Sequence, residues 1–120
     1  MKKAVVHFEI GCSNIPETVD FYKKVFDWDV RANGNSAVID TGREDAIPGH
    51  ISKLGPNDPQ NYINIYIETD TLEKDLEVIE AHGGKVAVAP ITLPDGRTFA
   101  WFEDVAGNRV GLITPKKNSI

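Results

Sequence analysis

This chain states one plan twice. A strand at Val6-His7-Phe8-Glu9-Ile10 leads into a helix, turns and further strands, and Ile63-Asn64-Ile65-Tyr66-Ile67 then opens a second round in the same order, with His7 and Asn64 standing 57 positions apart. A unit of that size is too small to close a hydrophobic core alone, so two such units must share one domain over residues 1–120. The expected boundaries are about 3–54 for the first and 60–115 for the second, with Gly55-Pro56-Asn57-Asp58-Pro59 as the loop between them.

Alternation in the first strand puts Ala4, Val6, Phe8 and Ile10 on one face and Val5, His7 and Glu9 on the other. Asn14 with Glu17 reads as a capping box, and Ile15, Val19, Tyr22, Val25 and Phe26 recur at helical spacing as a buried stripe. Trp28–Ala32 and Ser36–Thr41 form a hairpin across Asn33-Gly34-Asn35, and Gly49–Lys53 is a fourth strand. In the second half Ile63, Ile65 and Ile67 share one face of a strand, and Tyr62, Asn64, Tyr66 and Glu68 the other. Asp70 with Glu73 offers a second capping box, and Leu72, Leu76 and Ile79 a second stripe, ended by Gly83-Gly84. Lys85–Ala89, Arg97–Asp104 and Arg109–Thr114 complete the round, the last two joined by a turn at Ala106-Gly107-Asn108. Each unit therefore has an apolar sheet face for its helix and a second face that mixes polar with aromatic side chains. Such a face is not simply open to water, and the simplest arrangement is two sheets curling around a cup.

Composition narrows the partners. A formal charge of −5, with paired lysines only near the termini, opposes binding to a phosphate backbone and excludes nucleic acid as the expected partner. No apolar run approaches the roughly 20 residues that span a bilayer, so no membrane partner is expected, and a strand beginning at Val5 leaves no room for a signal peptide. The single cysteine, Cys12, cannot form an internal disulfide, which suits a reducing, cytoplasmic setting. It reads as a small residue closing the first strand–helix turn rather than as a nucleophile.

The run from Val6-His7-Phe8 through Asp20-Phe21-Tyr22 to Phe26-Asp27-Trp28, with Gly83-Gly84-Lys85-Val86 and Phe102-Glu103-Asp104-Val105-Ala106-Gly107-Asn108, resembles the vicinal oxygen chelate superfamily. That group includes glyoxalase I, extradiol dioxygenases and bleomycin-resistance proteins. The resemblance covers essentially the whole chain. It implies an α+β fold of two tandem βαβββ modules, with curved mixed sheets around a concave cleft, in a homodimer that holds a small-molecule ligand. In metal-dependent members four side chains grip one divalent cation. Carried onto this sequence, those positions fall on His7, on Asn64 (a weak neutral ligand), on Gly111 (which has no side chain) and within Gly49–Lys53, where His50 is the only donor. The four-ligand site is thus incomplete, although His7 and His50 with Glu9 leave a two-histidine, one-carboxylate set open.

The candidate catalytic residues are His7, whose ordinary pKa suits proton transfer near neutrality, and Glu9. The alternative for His7 is a cup-lining imidazole bonded to Glu9 or Asn64, and for Glu9 a salt bridge to Arg109 or Lys53. Candidate ligand-binding residues are His50, Asn64, Tyr66, Phe99 and Trp101. Phe99, Trp101 and Glu103 share one face of their strand, and Trp101 is either an aromatic wall or an interface residue. Trp28 belongs to core or interface, and His82 is explained by its place at a helix C-terminus. No nucleotide-binding glycine loop or nucleophile-elbow serine is present. The functional expectation is a glyoxalase-like small-molecule protein, with lyase or isomerase chemistry if it is an enzyme. The alternative is metal-independent sequestration of the bleomycin-resistance type.

Overall fold

The β-branched and aromatic alternation of the sequence becomes eight strands, and the two apolar stripes become two helices. The computed structural model describes residues 2–116. In chain order the elements are β1 (Val5–Cys12), α1 (Ile15–Phe26), β2 (Asp29–Asn33), β3 (Ser36–Asp40), β4 (Gly49–Lys53), β5 (Tyr62–Glu68), α2 (Leu72–Ala81), β6 (Lys85–Thr92), β7 (Thr98–Glu103) and β8 (Arg109–Ile113). No helix among the described residues is long and apolar enough to cross a membrane.

The chain divides into two compact units. One is His7–Asn64; the other joins the segment up to Val6 with the chain from Ile65 onward. The first has the strand order β2-β3-β4-β1, the second β6-β7-β8-β5. In each the outermost three strands run antiparallel and the first strand of the repeat pairs in parallel with the last, β1 with β4 and β5 with β8. Like topology in both halves is what a duplicated βαβββ plan requires, and the α+β expectation stands.

In the first unit Cys12, Ile15, Val30, Ala37, Ile39 and Ile51 form the buried core, with Phe8, Ile10, Val19, Tyr22 and Trp28 packed around them. Cys12 is thus the last inward residue of β1 and part of that core. Asn14 caps α1 by accepting from the Glu17 amide at 3.0 Å, a proline follows in the first turn, and Asp27 ends the helix in the left-handed region. The stripe is shorter than its periodicity implied. Val25 and Phe26 are each 55% exposed, because the last turn of α1 runs past the strands; Phe26 stacks only on Tyr22 and Trp28.

The second unit buries Leu72, Leu76, Ala100 and Leu112, with Ile67, Ile79, Val86 and Phe102 around them. Two expectations fail here. Thr71, not Asp70, caps α2, and its hydroxyl meets the Asp75 carboxylate instead of a backbone amide. On β5 the isoleucine face is not uniformly covered. Ile67 joins the core, whereas Ile63 and Ile65 are 73% and 40% exposed and the opposite face, with Tyr66, is the buried one. The reason is that α2 packs against β6 and β7 and reaches β5 only at its C-terminal end.

Candidate functional site

In the first unit Phe8, Ile10 and Cys12 turn toward the helix-covered core, so the alternate residues His7, Glu9 and Gly11 take the other face of β1. The parallel register sets Glu9 beside His50 of β4, on that same face. Three candidates of the sequence reading therefore do meet. His7 Nε2 lies 2.6 Å from His50 Nδ1, the rings 4.8 Å apart and tilted by 29°. The other nitrogen of His50, Nε2, faces Glu9 Oε1 at 3.5 Å. Both histidines are half-buried, while Glu9 is only 4% exposed.

Tyr62 extends this line. Its hydroxyl donates to Glu9 Oε2 at 2.5 Å. The ring lies flat over Gly11, where a Cβ would come within 2.3 Å of it, so only glycine leaves room. Burial, and then the bond to Glu9, raise the Tyr62 phenol far above its ordinary value, which keeps it a donor. The order is thus Tyr62–Glu9–His50–His7. A phenol and an imidazole hold Glu9, and His7 meets His50.

Asn64 follows Tyr62 on the same face of β5. It is 2% exposed, and both its amide atoms, Nδ2 and Oδ1, are buried without a hydrogen-bond partner among the described residues. Burying an amide in this way costs about 1–3 kcal/mol.

The second unit brings together the other candidates. The β5–β8 and β7–β8 registers place Tyr66, Gly111 and Trp101 side by side, with Phe99 beside Ile113 on that face. Trp101 Nε1 donates to the Tyr66 hydroxyl at 2.8 Å, and Phe99 meets the Tyr66 ring edge-on at 6.5 Å. Tyr66 and Trp101 are 5% and 7% exposed, so this is a packed aromatic cluster and not an open wall. The Tyr66 ring covers Gly111, where a Cβ would come within 2.4 Å of it.

Residues 4–112 match the Glyoxalase/Bleomycin resistance protein/Dioxygenase superfamily. The chain belongs to that superfamily. No curated protein matches the sequence. Among solved structures, hypothetical protein BH1468 from Bacillus halodurans C-125 is similar at a TM-score of 0.72 and 12% identity, over 100% of this chain and 99% of that one. Methylmalonyl-CoA epimerase of Streptomyces coelicolor, in complex with 2-nitronate-propionyl-CoA, gives 0.64 and 18%, over 94% and 97%. The Mycobacterium tuberculosis epimerase gives 0.66 and 11%, over 94% and 88%. At these identities the likeness is one of fold.

Members of the superfamily commonly use a divalent cation, and this chain's donors do not fit the usual four-ligand set. Position 111 has neither a carboxylate nor space for one under Tyr66. Nor is the two-histidine, one-carboxylate alternative assembled in this geometry, since His50 turns opposite ring nitrogens to His7 and Glu9. Among the described residues no three His, Cys, Asp or Glu side chains gather as a metal site.

Trp28 stacks on Tyr22 at 5.3 Å beside the first core, and His82 caps α2 with Nδ1 against the Val78 carbonyl at 2.9 Å, so neither enters a site. Gly107-Asn108 is a turn organised by Asp104, which accepts from both Ala106 and Asn108. The residue the sequence reading missed is Tyr62. Its signal was present: a tyrosine two positions before Asn64 on the polar face, with a glycine two positions after Glu9 that had no turn to explain it.

Proposed function

We propose that this protein binds a small oxygenated organic molecule at the first module and moves a proton on it, with His7 as the acid–base group and no four-ligand metal site. The observation that carries this is the unbroken line from Tyr62 through Glu9 and His50 to His7. With Glu9 ionised, His50 keeps its proton on Nε2 and offers Nδ1 as an acceptor to the N–H of His7 Nε2. The basic atom of His7 is then Nδ1. When it takes a proton from the ligand, the Nε2 proton passes to His50, and the imidazolium so formed stands against the Glu9 carboxylate. Tyr62 fixes that carboxylate in place. A carbon acid beside a carbonyl is the substrate class that needs such a base near neutral pH. The fold shared with methylmalonyl-CoA epimerases agrees with that class.

The exposed Ile63 and Phe21 support a homodimer as the working form, and the lone, buried Cys12 supports a cytoplasmic one.

The test is deuterium wash-in from D2O at C3 of 2-oxo acids and at C2 of 2-hydroxy acids and of methylmalonyl-CoA, followed by NMR. A substrate of the protein should exchange, and His7→Asn should slow that exchange by about 10²–10⁴-fold while the fold persists. Ligand binding without exchange, or exchange that His7→Asn leaves untouched, would replace proton transfer with sequestration.

A further inference from the structure

The second module holds a cation that the proton line does not use. Arg109 opens β8 on the face it shares with Gly111, and its guanidinium carbon sits 5.1 Å from the centre of the Trp101 ring. Trp101 is fixed as a platform, since it is buried and its own N–H is committed to the Tyr66 hydroxyl. Stacking of this kind orders the planar fork while leaving its edge donors pointed outward.

What the fork lacks is a counter-charge. The carboxylate opposite it in the β7–β8 register, Glu103, pairs with Lys85 at 3.8 Å. The next position on the same strand face is Gly111, covered by the Tyr66 ring, so no acid can stand there. Among the described residues no carboxylate pairs with Arg109. In a chain where 18 acidic residues outnumber 13 basic ones, an ordered, half-buried and unpaired guanidinium is a receptor in waiting for an oxyanion.

We infer that Arg109 is an anion-binding group: on its Trp101 platform it takes two oxygens of a carboxylate or phosphate carried by a small-molecule ligand. The fork geometry, not the charge alone, does the recognising, so lysine is a poor substitute.

The test uses malonate and inorganic phosphate as separate probes, each titrated at constant ionic strength against chloride. The indole N–H resonance of Trp101, assigned with Trp28→Phe, reports occupancy. At least one probe should shift that resonance saturably, and the tighter of the two identifies the oxyanion. Arg109→Gln should weaken binding by about tenfold or more, and Arg109→Lys by several-fold. Should Arg109→Gln fail to fold, the lysine variant decides. No saturable shift with either probe, or equal binding by wild type and whichever variant folds, overturns the inference.

Discussion

Asn64→Leu is the substitution whose outcome is hardest to reach by intuition. It removes a buried amide from the middle of a strand and should make the protein more stable. The two side chains branch alike, and the greater bulk of the leucine methyls over the amide atoms takes back only part of the gain. Both polar atoms of Asn64 are sealed from water and unpaired among the described residues. The folded chain therefore bears a desolvation penalty of about 1–3 kcal/mol that leucine does not. Added apolar burial works in the same direction. For a chain of 120 residues the unfolding entropy near its midpoint is about 0.25 kcal/mol/K, so each kcal/mol moves Tm by about 4 °C. An increase of about 4–8 °C is expected by calorimetry, with the urea midpoint rising and the slope of the transition unchanged. A fall in Tm of several degrees would refute the reasoning, for it would mean that the amide is satisfied in solution by ordered water.

Tyr62 and the two covered glycines give further expectations. Tyr62→Phe takes the phenol donor away from Glu9 Oε2 and should destabilise the fold by about 1–3 kcal/mol in urea melts; an unchanged midpoint would show that the bond contributes nothing. Because burial and Glu9 raise the Tyr62 pKa, the folded chain keeps a proton that the unfolded chain releases above about pH 10. Stability from this group is complete below that pH and falls as pH rises. Absorbance titration at alkaline pH should accordingly show Tyr62 ionising only on unfolding, and Tyr62→Phe should remove that step. Gly11→Ala should push the Tyr62 ring aside, costing about 1–3 kcal/mol and reproducing the loss of the late tyrosine step; an alanine variant with wild-type titration would place the ring elsewhere.

How far the sequence could be read depended on whether a property was local or pairwise. The duplicated succession of elements and the shared face of His7 and Glu9 follow from alternation and from the repeat, and the structure has them; the order of strands across each sheet does not follow from either. Nor does the extent of helix coverage. Val25 and Phe26 repeat at helical spacing, yet nothing in that spacing says where the sheet beneath them ends. Ile63 and Ile65 likewise alternate as core residues should, yet both are exposed. In the candidate site, His50 was legible only as a donor near a loop. Which of its nitrogens faces which neighbour depends on the β1–β4 register and on ring orientation, and the line on which the proposed proton transfer rests depends on both. Asp70 was read as a cap because its type and spacing were right, but Thr71 lies one residue nearer the helix and takes the place.

The ring of Tyr66 lying over Gly111 sets the terms on which an acid could stand at this point of β8. A carboxylate introduced at 111 alone meets carbon atoms at less than van der Waals separation, while shrinking Tyr66 alone strips Trp101 of its hydrogen-bond acceptor and opens a void. Each single step is costly on this geometry, so an engineer who wants an acid at 111 must change both positions in one move.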